Sequence, residues 1–147
     1  MIESKGIKDC NGCQACIVAC KKNCIKTQIR EDGSKNPVVN MDGCDKCNAC
    51  RLYCPLYFPV DLPKFPEYYK DSGDVFGRDM PPIYRETMRN VKAGQHTEFV
   101  GTLCQIAALK SLLGDKLPDK LMIAPVVCDM TNPKAEACKN CHFYKKK

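Results

Sequence analysis

A pattern of four cysteines that occurs twice constrains this chain more than any other feature of its sequence. Each copy reads C-x2-C-x2-C-x3-C, and the copies lie 34 residues apart at all four positions. The first copy consists of Cys10, Cys13, Cys16 and Cys20, and the second of Cys44, Cys47, Cys50 and Cys54. The constant offset indicates a repeated structural unit rather than scattered cysteines.

The spacing predicts two 4Fe–4S clusters whose ligands cross between the copies. Three thiolates separated by two residues can hold one cube, whereas the fourth cysteine of such a run ligates the other cluster. The expected ligands are Cys10, Cys13, Cys16 and Cys54 for the first cluster, and Cys44, Cys47, Cys50 and Cys20 for the second.

Two alternatives compete with this interpretation. Disulfide frameworks are typical of small secreted domains, but the first residues of this chain, MIESKG, include no apolar signal segment. Zinc sites favour paired C-x2-C units, often with histidine, and have no use for a third cysteine at the same spacing and a fourth beyond it. The two-cluster interpretation therefore fits the spacing better than either alternative.

With these motifs, the first part of the chain resembles the two-cluster bacterial ferredoxins. Pro55 follows the last cysteine of the second copy, as is usual in that family, whereas Lys21 replaces the corresponding proline of the first copy. The replacement alters a turn but removes no ligand. The resemblance implies a ferredoxin-like module that carries two 4Fe–4S clusters.

Composition limits how the chain can be stabilised and what it can bind. The 147 residues include 13 cysteines and no tryptophan, so we expect bound metal rather than a large apolar core to supply much of the stability. The formal net charge of +6 counts every cysteine as neutral, although thiolate-ligated clusters carry negative charge. The basic balance is therefore weak support for a nucleic-acid partner, and we expect none.

No segment of the sequence is long and apolar enough to span a membrane. The longest apolar run, Leu121–Cys128, has eight residues and includes a proline, whereas a spanning helix needs roughly 18. Exposed clusters and thiolates are damaged by oxygen, so we expect a reducing, cytoplasmic setting, either free or on the cytoplasmic side of a membrane-bound complex.

Turn residues and periodicity predict the elements around the two cysteine copies. Ile17–Ala19 should start a short helix, and Ile25–Arg30 with Val38–Met41 should form a hairpin closed by residues 31–34. Cys24 is interpreted as a small buried side chain rather than a ligand.

The middle of the chain reads as an extended, proline-rich linker. Closely spaced prolines and aromatic residues after Cys54 show neither helical nor strand periodicity, so we expect this segment to pack across the cluster-bearing part or against a partner. Further on, Met80–Pro82 is predicted to be a turn, and Ile83–Val91 a short helix ended by Gly94. We expect no catalytic residue here or elsewhere in the chain.

The second half predicts a β-α-β unit. It contains a short strand that ends at Phe99–Gly101, a helix that is capped by Thr102 and runs to Leu113, and a buried strand at Leu121–Val127. Cys104 falls at the start of the helix, where backbone donors and the helix dipole stabilise a thiolate.

The segment Gly101-Thr102-Leu103-Cys104-Gln105 and the cysteines after it resemble the beta subunits of coenzyme F-420 hydrogenases and dehydrogenases. That family usually reads Gly-Thr-Pro-Cys-Gln, followed by an apolar helix, a strand, a cysteine and a C-x2-C pair. The corresponding cysteines are Cys128, Cys138 and Cys141. Leu103 in place of proline and Asp129 in place of the common histidine depart from the pattern. The family's flavin-binding regions have no room in this chain, so the resemblance implies a truncated unit without a hydride-handling site.

Counting cysteines predicts a third metal site. The eight ferredoxin-like ligands and Cys24 account for nine of the 13 cysteines, and the remaining four are Cys104, Cys128, Cys138 and Cys141. Four cysteines suffice for a third 4Fe–4S cluster, which is the interpretation we favour. A tetrahedral zinc site, or a C-x2-C pair left empty beside buried thiols, is the alternative.

Together these patterns predict an α+β protein with a ferredoxin-like two-cluster module at residues 1–60, a linker at 61–96 and a small β-α-β unit at 97–147. We expect a non-catalytic subunit that relays single low-potential electrons within a multisubunit anaerobic oxidoreductase, with the other subunits as its partners. The resemblances imply a link to coenzyme F-420 oxidation in methanogens, as the small iron–sulfur subunit of a reduced-coenzyme-F-420 dehydrogenase complex. The alternatives are a flavin-containing catalytic subunit that reacts directly with coenzyme F-420, and a nucleic-acid-binding redox sensor, for which no DNA-reading helix is evident.

Overall fold

The structure, a computed structural model, describes residues 10–29, 31, 35–65, 67, 78–114 and 117–126. Its helices are α1 (Ala15–Ala19), α2 (Ala49–Leu52), α3 (Met80–Lys92) and α4 (Leu103–Leu113). Its strands are β1 (Ile25–Ile29), β2 (Lys35–Val39), β3 (Thr97–Gly101) and β4 (Leu121–Pro125). This mixture of helices and small sheets confirms the α+β class. The three-domain division, with its ferredoxin-like module and linker, stays a prediction.

The predicted hairpin is confirmed, with a shift in its second strand. Strands β1 and β2 pair antiparallel from Ile25 opposite Val39 to Ile29 opposite Lys35. The second strand thus begins three residues before the predicted start and contains Pro37. Proline is tolerated because both strands of a two-stranded sheet are edges, where a missing N–H can face away from the partner strand. Residues 32–34 of the expected turn lie outside the described residues.

The predicted β-α-β order is also confirmed, but the prediction of a buried last strand is wrong at Met122 of β4, which is 67% exposed. Strands β3 and β4 pair in parallel, from Thr97 opposite Leu121 to Gly101 opposite Pro125. Gln105 accepts a hydrogen bond at 3.0 Å from the backbone N–H of Thr102, as part of a capping box that starts α4. The first seven residues of α4 are all buried.

The turn predicted at Met80–Pro82 is wrong, because these residues form the first turn of α3. A proline in the first turn of a helix lacks only an N–H that would have no partner inside the helix, and its fixed φ already suits helical backbone. The helix predicted at Ile83–Val91 is confirmed and extends to Lys92, two residues before Gly94, whose φ is 77°. Among the described residues, no helix is both long enough and apolar enough to cross a bilayer.

One apolar core joins the second half of the chain to the first cysteine copy. Tyr84 of α3 stacks on Phe99 of β3, with ring centroids 6.0 Å apart, and both side chains are buried. The same buried group includes Cys13 and Ala15, and Phe65 packs against it from the segment after the second copy. Part of the proline-rich segment therefore packs against the cysteine-bearing region, as predicted.

Two hydrogen bonds join the halves beside this core, and a third continues from one of them into β3. The Tyr84 hydroxyl donates to the carbonyl oxygen of Cys13 at 2.8 Å. Lys35 of β2 donates to the carbonyl oxygen of Arg78, and the Arg78 guanidinium donates to the carbonyl oxygen of Val100 at 2.6 Å. The first cysteine loop and the hairpin are therefore both held against the β-α-β unit.

We expect Tyr84→Phe to destabilise the loaded protein because it leaves the buried Cys13 carbonyl without its hydroxyl donor. A buried polar group that loses its partner costs about 1–3 kcal/mol. The loss should appear as a lower urea midpoint, followed anaerobically by far-ultraviolet circular dichroism. Tyr53→Phe is the matched control, because Tyr53 is 40% exposed. Equal midpoints for the two variants would contradict this role of Tyr84.

Candidate metal centre

The loops at the start of the two cysteine copies contain the same type of local turn. In the first copy, the Cys13 N–H donates to the side-chain oxygen of Asn11 at 3.1 Å. In the second, the Cys47 N–H donates to the carboxylate of Asp45 at 3.2 Å, and hydrogen bonds from Cys47 lower the pKa of that carboxyl group. Each loop is thus shaped by a local turn in which an Asn or Asp side chain caps the backbone two residues on.

In each loop, a residue with left-handed backbone conformation donates its N–H to a cysteine sulfur. The N–H of Gly12 donates to the sulfur of Cys10 at 3.4 Å, and the N–H of Lys46 donates to the sulfur of Cys44 at the same distance. Gly12 has a φ of 75° and Lys46 a φ of 59°. Non-glycine residues adopt this conformation at a cost of about 1 kcal/mol, so the geometry is maintained in the second copy despite the lysine side chain. Backbone N–H groups of this kind are among the donors that stabilise ligand thiolates.

The first loop contains a glycine because its surroundings are tight. A Cβ on Gly12 would lie 3.1 Å from the carbonyl oxygen of Lys35 on β2. Asn36, also on β2, makes a side-chain hydrogen bond to the Cys10 thiol. The hairpin therefore covers the first loop, whereas the second loop around Lys46 is exposed.

A cavity of about 20 Å³ lies inside the first copy. Among its lining residues are the four predicted ligands of the first cluster, Cys10, Cys13, Cys16 and Cys54. The structure thus places Cys54, from the second copy, beside three cysteines of the first copy. Their ligand roles stay a prediction, but the arrangement suits the chemistry of a cube, because four soft donors converge on a volume rather than on a point.

Burial sets the protonation of these thiols when no metal is bound. Desolvation by burial is the main cause that raises the pKa of Cys10, Cys13 and Cys16. These three thiols are therefore neutral near pH 7 without metal, and ligation of iron requires the loss of their protons. In the part of the chain that the structure describes, no three histidine, cysteine or acidic side chains are arranged to hold a single metal ion.

The predicted ligands of the second cluster gather around Cys24. The sulfur atoms of Cys20 and Cys24 lie 3.3 Å apart, and Cys44 makes a side-chain hydrogen bond to Cys24. Cys50 is buried, whereas Cys47 is exposed at the end of its loop. Cys47 therefore brings the second set to the surface although Cys20 and Cys50 are buried, whereas no cysteine of the first set is exposed.

Cys24 is buried, as predicted, but its contacts with two predicted ligands were not expected. The contact with Cys20, assisted by burial and by Cys44, raises the pKa of Cys24 to about 11. Burial of Cys20 acts to raise its pKa. Hydrogen bonds from Cys24 and from the backbone of Lys22 and Asn23 have the larger combined effect, so the pKa of Cys20 is lowered. Either sulfur can donate in this contact. If Cys20 ligates iron it does so as a thiolate, and Cys24 is then the member of the pair that has a proton to donate.

The residue that directly follows the second cysteine of the first copy anchors the site to α3. Gln14, with a φ of 66°, donates to the hydroxyl of Thr27 at 2.7 Å and to Asp79 at 3.3 Å. Its side-chain oxygen accepts a hydrogen bond from the backbone N–H of Met80 at 3.0 Å. Gln14 therefore links the first cysteine loop, the hairpin and the start of α3.

The third set of cysteines is described only in part. Cys104 is buried at the start of α4, and its sulfur lies 3.1 Å from the hydroxyl oxygen of Thr102. It belongs to the same buried core as Cys13. Cys128, Cys138 and Cys141 lie outside the described residues, so the proposed third ligand set stays a prediction.

Sequence reasoning missed Asn11, Asp45 and Gln14. Aligning the two copies would have revealed Asn11 and Asp45, because each directly follows the first cysteine of its copy. The role of Gln14 had no such signal, since its partners Thr27, Asp79 and Met80 are distant in sequence.

We expect Asn11→Ala to weaken retention of the first cluster, because the Cys13 N–H loses its acceptor inside a buried loop. A loss of about 1.4 kcal/mol corresponds to roughly tenfold faster release of iron to a chelator under anaerobic conditions. The matched variant Asp45→Ala should have a smaller effect, because Asp45 is exposed and water can take its place. Similar release rates for both variants would contradict this difference between the loops.

Comparison with known proteins gives one partial similarity. The ferredoxin-type protein NapF of Haemophilus influenzae is 36% identical to this chain over 44 residues, which make up 30% of the chain and 25% of that protein. The chain therefore matches about a quarter of the length of this relative. No protein-family description and no solved structure matches the chain.

Proposed function

We propose that this chain is an iron–sulfur electron-transfer protein with two 4Fe–4S clusters held in crossed ligation. The observation that carries the proposal is the cavity of the first copy, which is lined by three of its own cysteines and by Cys54 from the second copy. The partial similarity to a ferredoxin-type protein supports the same class of function.

The residues of the chain fit the role of an electron carrier. A bound cluster supplies reversible one-electron transfer. The protein supplies thiolates, backbone donors aimed at them, and a buried setting for the first site. Donors to sulfur and exclusion of water are the means by which a protein sets a cluster potential, so the two sites should differ.

Because the two cluster sites differ in exposure, we place them at different positions along the path of the electrons. The first site is covered by the hairpin and by the core that includes Tyr84 and α4. The second site presents Cys47 at the surface. Electrons should therefore be exchanged with an external partner at the second site, while the first lies further inside.

The second half of the chain extends this proposal. Cys104 belongs to the same core as Cys13 and sits at the capped start of α4. With Cys128, Cys138 and Cys141 it would provide the ligands of a third 4Fe–4S cluster beside the first one. Thr102, Cys104 and Gln105 also carry the resemblance to coenzyme F-420-linked beta subunits.

We therefore place the chain as a non-catalytic small subunit of an anaerobic oxidoreductase complex linked to coenzyme F-420 oxidation in methanogens. Its partners are the other subunits, it has no nucleic-acid partner, and it works in the cytoplasm or on the cytoplasmic side of a membrane-bound complex.

Metal analysis of the anaerobically purified full chain tests this proposal. Three clusters would give about 12 irons per chain and two would give about eight. We expect Cys104→Ser to lose about four irons, and Cys54→Ser to lose the first cluster. Cys24→Ser is the matched control, because it changes a buried thiol that is not an expected ligand.

Three results would contradict parts of the proposal. Iron-free protein would overturn the function itself. Eight irons with one zinc, lost together in Cys104→Ser, would replace the third cluster by a zinc site. A flavin absorbance in gently isolated protein would favour the catalytic alternative.

A further inference from the structure

The two copies differ at the position four residues after their last cysteine. In the first copy this position is Cys24, which follows Cys20, and in the second it is Phe58, which follows Cys54. Both segments begin with the same hydrogen bond, from the N–H of Asn23 to the carbonyl of Cys20 and from that of Tyr57 to Cys54. They then diverge, because Asn23 has a φ of 54° and the N–H of Phe58 bonds to the carbonyl of Cys54 as well. Cys24 is 7% exposed, whereas Phe58 is 50% exposed. The second cluster site therefore has a fifth thiol at a place where the first site has an outward-facing ring.

Tertiary contacts fix the position of this fifth thiol. The carbonyl oxygen of Cys24 accepts a hydrogen bond from the N–H of Asn40 at 2.7 Å. Its Cβ lies 3.4 Å from the place where a Cβ on Gly43 would be. The side chain is thus held between the loop that follows Cys20 and the loop that leads into Cys44, with its sulfur 3.3 Å from that of Cys20.

We propose that Cys24 is a positioning residue that tunes the second cluster, by donating an S–H hydrogen bond to the sulfur of Cys20. The inference rests on the proposed function, since Cys20, Cys44, Cys47 and Cys50 already complete the ligand set of that cluster. A donor to a ligand sulfur stabilises the reduced state, which carries more negative charge, and so raises the reduction potential. The first cluster receives no such bond from the corresponding position, because Phe58 has no donor.

The test compares Cys24→Ala and Cys24→Ser with the unchanged full-length holoprotein in an anaerobic redox titration followed by electron paramagnetic resonance. In Cys24→Ala, the equilibrium constant for reduction of the second cluster should fall about tenfold. For a one-electron couple this lowers the reduction potential by about 59 mV. Cys24→Ser should recover most of this loss because its hydroxyl can donate in the same place. The potential of the first cluster should not change.

Two further measurements separate tuning from a structural role. The iron content of both variants should equal that of the unchanged protein, and the hyperfine coupling of an exchangeable deuteron near the second cluster in D2O should disappear in Cys24→Ala. Phe58→Ala is the matched control, because it removes the side chain at the same position of the other copy, and it should move neither potential.

Loss of four irons in Cys24→Ala would overturn the proposal by showing that Cys24 is itself a ligand. Unchanged potentials in an iron-replete variant would overturn it as well, while leaving the electron-transfer function intact. Iron-free unchanged protein would instead overturn the proposed function, and with it the role of Cys24.

Discussion

Convergence of sulfur atoms from two distant parts of the chain is the constraint on which the rest of the structure depends. Cys54 reaches the cavity formed by Cys10, Cys13 and Cys16 only because the two copies pack together. The described elements near this cavity are short, with five residues in α1 and four in α2. Helices of this length are not stable alone. Metal binding, which requires the folded arrangement of ligands, would therefore add its free energy directly to folding.

The second half of the chain supplies the apolar core and the hydrogen-bond donors that support the first cysteine loop. Its core encloses Cys13 and Ala15, and its helix α3 provides the hydroxyl of Tyr84 and the backbone N–H of Met80 that hold the first loop. The first loop is consequently supported by hydrogen bonds and by the core, while the loop around Cys47 has no comparable cover among the described residues. A low effective dielectric penalises the extra charge of a reduced cluster. Burial would therefore lower the reduction potential of the first cluster, whereas the proposed hydrogen bond from Cys24 would raise that of the second.

The features that could be predicted from the sequence are those set by neighbouring residues. Alternating side chains and a polar turn predicted the hairpin, and the run from Thr102 to Leu113 carries its own cap and apolar residues. The start of α3 was missed because prolines usually indicate turns, although the first turn of a helix accepts them. The contacts of Gln14 and Cys24 could not be predicted, because each depends on segments brought close by the tertiary fold. The cysteine spacing predicted which thiols would surround the first cavity, whereas the third set stays a prediction from residue counts.

Duplication explains why the two sites are similar, and the changes between the copies explain how they can work in sequence. Gly12 corresponds to Lys46, so the first loop can lie against β2 while the second carries a long charged side chain at the surface. Cys24 corresponds to Phe58, and the extra thiol lies 3.3 Å from the sulfur of Cys20, a predicted ligand of the second site. Two identical clusters would share an electron evenly and give it no preferred direction. Under the proposed function, unequal cover and unequal donors would place one cluster inside the protein and let the other exchange electrons with a partner, as a relay subunit requires.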